Sequence, residues 1–158
     1  MTDTMEATSH LSKDRLRVWL RMLKVTRMIE SELRERLRSS FDTTLPRFDV
    51  MSALARSGDG LKMSDLSGVL RVSNGNVTGI VDRLVEDGFI ERVPVPGDRR
   101  AMCVRLTPEG RMRFAEMARQ HEMWLDELLA PIGAQGLETV RTRLGRIADK
   151  LEDRKTDA

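Results

Sequence analysis

The stretch MSDLSGVLRVSNGNVTGIVDRLVEDGFIERVPVPGDRRAMCVRLTPEG, residues 63–110, decides the fold. Met63 to Leu70 and Asn74 to Asp87 read as two short helices, with Arg71 and Val72 making the turn between them. Ser73 is placed to cap the second helix, because its hydroxyl can accept from a free N–H of the first turn. Val77, Ile80, Val81 and Leu84 recur at i, i+3, i+4 and i+7, which gives that helix one buried face. Gly88 falls where a left-handed C′ residue belongs. Two helices joined by a turn of a few residues form a helix-turn-helix. After Gly88 the period changes from helical to alternating. Ile90 and Arg92, then Met102, Val104 and Leu106, alternate as in a half-buried hairpin. The tip runs Pro94-Val95-Pro96-Gly97-Asp98-Arg99-Arg100, stiffened by its prolines and positively charged.

The flanks are helical on both sides. Leu16, Leu20, Leu23, Ile29, Leu33 and Leu37 form a stripe, widened by Trp19, Met22 and Val25, and predict a helix over residues 11–37. A helix of roughly 25 residues spans about 38 Å, long for so small a domain. Thr43, Thr44 and Pro46 start a second helix with Phe48, Val50, Met51 and Leu54 on its apolar face, ending at Ser57-Gly58-Asp59-Gly60. Thr107-Pro108-Glu109-Gly110 starts another, which carries Met112, Phe114, Met117, His121, Trp124, Leu125 and Leu128 toward Pro131. The last helix has its stripe at Leu137, Val140, Leu144, Ile147 and Leu151. The expected fold is therefore mainly α with a small two- to three-stranded β wing. A winged helix-turn-helix over residues 45–107 is flanked by dimerisation helices at 11–44 and 108–153. Residues 1–10 read as a disordered tail and 154–158 as a frayed one. The long stripes on residues 11–37, 108–130 and 137–151 expose more apolar length than one small winged helix can cover, which argues for a homodimer, the alternative being that the three long helices pack on each other.

Composition bounds the function. The chain has 158 residues, 40 % of them hydrophobic and 33 % charged, a globular and soluble balance. No apolar run approaches the roughly 18 residues needed to cross a bilayer, and Met1 to His10 lacks the order of a secretory signal. No membrane association is expected, and the expected location is the cytoplasm. The single cysteine, Cys103, excludes an internal disulfide or a multi-cysteine zinc site, and His10 and His121 leave little for another metal centre. Of 27 basic residues 22 are arginine, a side chain suited to phosphate and guanine contacts, but a net charge of +2 needs a motif before it points to nucleic acid.

The motif is the outward face of residues 73–87. With the stripe buried, Asn74, Gly75, Asn76, Thr78, Gly79, Asp82 and Arg83 face outward. Asn can bond adenine, Arg can fork to guanine, Thr can reach a base or phosphate, and the glycines allow close approach to a groove floor. Arg99 or Arg100, carried on a stiff wing, can enter a minor groove. Asp98 would repel phosphate if it pointed outward, so it is expected to fold back and fix an arginine such as Arg100.

Ser73-Asn74-Gly75-Asn76-Val77-Thr78, Asp82-Arg83-Leu84, Asp87-Gly88, Asp98-Arg99-Arg100, Val104-Arg105-Leu106-Thr107 and Gly110 together resemble the MarR family of bacterial transcription regulators. The flanking helices match in order, so the resemblance covers nearly the whole chain. It implies a homodimer on a pseudo-palindromic double-stranded DNA operator, usually a repressor released by a small ligand. Carried over by position, Asn74, Asn76, Thr78 and Arg83 would meet the major groove and Arg100 the minor groove, with Asp98 in support. Ser73 and Arg99 complete the DNA-binding candidates.

The resemblance places a ligand pocket between the dimer helices and the winged helix. Its candidates here are Trp19, Met22, Leu23, Phe48, Met51, Met112, Met117, His121 and Trp124, a deformable and flat-faced lining that suits an aromatic effector. Arg34, Arg36 and Arg38 crowd one helix end and could meet the carboxylate of an aromatic acid or the phosphates of its acyl-CoA thioester. Cys103 reads as a plain strand thiol, since the peroxide-sensing branch of the family carries its cysteine near the start of the first helix. No nucleophile–base pair, phosphate-cradling loop or metal-ligand spacing is visible, so neither an enzyme nor a cofactor is expected. The other class considered is a winged-helix dimer acting as a protein-interaction co-regulator, without sequence-specific DNA binding. Asn, Thr and Arg on the outward face argue against it.

Overall fold

The computed structural model describes the backbone of residues 2–70, 74–95 and 97–156, and side chains from His10 onward except those of residues 74, 75, 99 and 156. Ser73, expected as a cap and a DNA contact, lies outside the described residues. The chain divides into two compact units, Met1–His121 and Glu122–Ala158.

In the first unit α1 (Thr2–Phe41), α2 (Leu45–Arg56), β1 (Leu61–Lys62), α3 (Met63–Leu70), α4 (Asn74–Glu86), β2 (Ile90–Val95) and β3 (Asp98–Leu106) follow in order, and α5 (Pro108–Leu129) begins. The second unit holds the end of α5 and α6 (Ala134–Thr156). This is the mainly helical winged fold expected. Some boundaries differ. Helix α1 begins at Thr2, not Leu11, so the segment expected as a disordered tail carries helical backbone. No proline or glycine lies between Met1 and Phe41, so nothing in the chain stops the helix from propagating. Likewise α6 continues to Thr156, beyond the expected start of a frayed tail at 154.

The sheet is antiparallel in the order β1-β3-β2. Ile90 pairs with Leu106 and Arg92 with Val104 in the wing, while Leu61 pairs with Val104 from the other side. Strand β1 supplies the third strand from the loop before the helix-turn-helix. Gly60, with φ 93°, makes that approach possible: a Cβ there would stand 2.6 Å from the Val104 carbonyl oxygen.

The helix ends follow their sequence signals. Thr44 has extended backbone and its hydroxyl accepts from the Arg47 N–H at 3.4 Å, starting α2. At the end of α4, Gly88 has φ 79°, and the N–H groups of Gly88 and Phe89 donate to Val85 and Leu84, each at 3.0 Å. That is the hydrogen-bond pattern of a Schellman cap.

In α2, α4 and the wing the core is built from the stripe positions, with Ile80 half-buried at its edge. Val50, Leu66, Val77 and Val81 are fully buried, and Met51, Leu54, Leu84, Ile90, Val104, Leu106 and Met117 nearly so. Each large apolar side chain buried in this way contributes about 1.5–3 kcal/mol over its exposed state, which fixes the solvent face of α4 by elimination.

Candidate nucleic-acid interface

Helix α4 turns Val77, Val81 and Leu84 inward, so Asn76, Thr78, Gly79, Asp82 and Arg83 lie exposed along its outer face. Asn74 opens the same helix, its side chain outside the described set. Of the two α4 glycines, Gly79 has nothing within 4 Å of where a Cβ would stand, so no internal packing demands its smallness. Arg83 donates to Glu86 at 3.1 Å, an ion pair one turn along the helix with both side chains mostly in solvent. Such a pair is worth about 0–1 kcal/mol, less than a charge-assisted bond to a base or phosphate can offer, so Arg83 can exchange partners.

The wing tip is built around Gly97, which has φ 83°, and Asp98. The Asp98 carboxylate accepts from the backbone N–H of Arg100 at 3.0 Å. Asp98 therefore folds back as expected, but it holds the backbone of Arg100 and leaves the guanidinium to solvent. The side chain of Arg99 lies outside the described set.

The root of the wing is fixed by the residues around Thr107. Its N–H donates to the Phe89 carbonyl at 3.0 Å, and its hydroxyl donates to the Gly88 carbonyl at 2.7 Å while accepting from the Gly110 N–H at 3.0 Å. Gly110 is forced: a Cβ there would lie 2.0 Å from the Phe89 carbonyl oxygen. The threonine and glycine thus lock the end of α4, the wing and the start of α5 together.

Charged contacts hold α4 from two sides. Arg47 of α2 pairs with Asp87 just after α4, and Arg92 of β2 pairs with Asp82 on its outer face. The Arg47 guanidinium is pushed below its usual range, mainly by desolvation and secondarily by Arg83, against an opposing pull from Asp42. Its Nε is buried without a hydrogen-bond partner. At the base of α5, Arg113 donates to the Phe41 carbonyl at 2.9 Å and lies 5.1 Å over the Phe41 ring, closing the end of α1. None of these contacts has a local signature, because the partners stand 10, 40 and 72 residues apart.

Within the first unit the candidate ligand residues lie in more than one place. Phe48 stacks on His121 with centroids 4.6 Å apart and meets Phe114 at 5.5 Å. Burial holds the His121 imidazole below its ordinary pKa. Met51 and Met117, one turn from Phe48 and His121 on their helices, line a polar cleft of about 420 Å³ with Arg47, Arg113, Asp42 and Asp87. Trp19 is half exposed on α1, and Met22, near it, lines an open groove of about 680 Å³ on that helix. Leu23 is half-buried, and Trp124 belongs to the second unit. The three arginines are taken up along α1: Arg34 pairs with Glu30 at 3.0 Å, Arg36 with Glu32 at 2.7 Å and Arg38 with Glu35 at 2.7 Å. Glutamates three and four residues earlier were a readable signal for that. Cys103 sits half-buried on β3 opposite Lys62 and Val93. Among the described residues no group of three His, Cys, Asp or Glu could hold a metal, and no helix is long and apolar enough to cross a membrane.

Comparison with known proteins agrees with this geometry. The model of the MarR family matches residues 43–102, the stretch from the start of α2 into β3. A crystal structure of a MarR family transcriptional regulator from Silicibacter pomeroyi is 31 % identical, with a TM-score of 0.74, and the match covers 89 % of this chain and 96 % of that one. A mutant MarR from E. coli complexed with operator DNA is 27 % identical over 85 % of this chain and 95 % of its own, with a TM-score of 0.73. The HTH-type transcriptional regulator PecS of Dickeya dadantii is 27 % identical over 81 % of this chain and 78 % of its own.

Proposed function

The chain belongs to the MarR family of DNA-binding transcriptional regulators, and from that premise we propose that it is a homodimeric repressor of a pseudo-palindromic operator, released by a small aromatic ligand. The observation that carries the DNA half is α4 itself. Its apolar stripe is consumed by the core, so Asn76, Thr78 and Arg83 are left as an outward polar row. Asn74 opens the same helix, and Ser73 precedes it in the sequence. Asp98 stiffens the wing tip at Arg100, with Arg99 beside it. In this reading α4 enters a major groove and Arg100 the neighbouring minor groove.

The dimer half is supported by two long exposed stripes. Leu16 and Leu20 of α1 are 55 % and 54 % exposed, and Leu144, Ile147 and Leu151 of α6 are 45–54 % exposed. Rows of this length are what a second copy covers, and a dimer presents two recognition helices about 34–36 Å apart to successive major grooves. For the effector, the reading is supported by the cleft beside Met51 and Met117, where a ligand carboxylate would compete with Asp87 for Arg47 and with the Phe41 carbonyl for Arg113. An aromatic acid or its acyl-CoA thioester suits that chemistry, and release requires that it bind the DNA-free spacing of the two reading heads better by about 1–3 kcal/mol. The place of action is the cytoplasm, on DNA.

The test is a fluorescence-anisotropy titration of duplex DNA from upstream of the gene, at two salt concentrations, with a scrambled duplex as control. Selective binding is the expected result. Weak, steeply salt-dependent binding that is equal on both duplexes would reduce the interaction to electrostatics and overturn the reading.

A further inference from the structure

Asp82 poses a chemical problem. It stands one turn after Thr78 on the outer face of α4, so a carboxylate occupies the surface offered to a polyanion. A free carboxylate there would repel phosphate on any sequence. In the structure its partner is the guanidinium of Arg92, carried on β2 at the root of the wing. The neighbouring strand residue, Glu91, points to the opposite face of the sheet and pairs with Arg105 of β3 at 2.7 Å. The wing therefore neutralises one rung internally and extends the other rung to the recognition helix. Arg92 pairs with Val104 in the ladder, so it sits where the hairpin is held on both sides, away from the tip at Asp98.

We propose that Asp82 and Arg92 are a positioning pair for DNA selection, fixing α4 against the wing so that Thr78, Arg83 and Arg100 meet the DNA in one geometry. This rests on the DNA-binding reading above. The pair is half exposed, so it does not hold the fold together, and the core beneath it keeps α4 folded without it. Its effect lies in register. A loosened helix can still be attracted to phosphate, and with Asp82 neutralised it is attracted more, but it no longer holds base-reading and wing-reading groups together. Removal of the carboxylate is thus expected to strengthen binding to scrambled DNA while weakening the preference for the operator. A residue of purely structural importance would lower both affinities together.

The experiment uses the full-length protein and a duplex selected by it from a random-sequence pool, against a scrambled duplex of the same length and salt. Asp82→Asn, Arg92→Gln and the double variant are compared with the unaltered protein by the ratio of the two affinities, with melting temperature as the control for folding. Each single variant is expected to lower that ratio roughly three- to fivefold, the size of a half-exposed ion pair. The double variant is expected to be no less selective than Arg92→Gln alone, because each residue acts through the other. Unchanged ratios, or losses that add in the double variant, would overturn the pair as a positioning device while the unaltered protein still selects its duplex. If the unaltered protein selects no duplex, the DNA-binding reading falls and the inference falls with it.

Discussion

The winged helix-turn-helix and the long helices carry apolar stripes of the same spacing but meet different fates. In α4 the stripe closes inside the chain, with Val77 and Val81 at 0 % exposure and Leu84 at 1 %. In α6 a stripe just as regular stays open, with Leu144 at 45 % and Ile147 at 51 %. Periodicity reports that a face is made to be covered. What covers it depends on whether other elements of the same chain are within reach. For α4 these are α2, α3 and the sheet. For α6 we assign the role to a second copy.

The largest expected effect tests the closed region. Gly110→Ala should destabilise the fold by at least about 2 kcal/mol, because a methyl 2.0 Å from the Phe89 carbonyl must displace the wing root or the start of α5. Urea unfolding measures it, and an unchanged midpoint would mean that this junction yields freely. The next effect tests the open region. Leu144→Glu with Ile147→Glu should weaken the dimer at least thirtyfold, since charge replaces two apolar anchors, while the melting of the winged helix is preserved. Sedimentation velocity reads the mass. A dimer that persists would place the interface elsewhere.

Smaller effects fall on the reading surface. Arg100→Ala should weaken operator binding about tenfold at ~150 mM salt with mass and melting unchanged, as expected for one charged minor-groove contact. Arg83→Ala should cost about 1–3 kcal/mol and relax preference at one base position, and equal losses on every sequence would make Arg83 a phosphate contact. The smallest effect concerns pH. Burial lowers the His121 pKa, so the unfolded chain takes up the proton more readily than the folded one. The stabilisation is present above about pH 6.5 and is lost as pH falls through the lower folded value. The melting temperature should therefore drop on acidification, and less so in His121→Phe, which keeps a ring against Phe48.

Much of this was legible because it is local. The caps at Thr44, Gly88 and Thr107, the α4 stripe and the alternating wing each announce themselves within a few residues. The early start of α1 was hidden because Met1 to His10 has no apolar stripe, although it has no helix breaker either. Strand β1 is two residues long and exists through its pairing with Val104 and Cys103, which no local pattern encodes. The polar cleft and the Asp82–Arg92 pair were illegible for the same reason. The α4 candidates Asn76, Thr78 and Arg83 could be placed on one helix face by counting, whereas the ligand candidates could not be grouped, since grouping them needs the three-dimensional path of α1, α2 and α5.

The most direct test of the central claim is sedimentation equilibrium of the protein with a fluorescent duplex that it has selected from a random pool. Two chains per duplex, on a site with half-sites about one helical turn apart, is the predicted result. One chain per duplex, or equal complex formation on scrambled DNA, would contradict a dimeric, sequence-reading regulator.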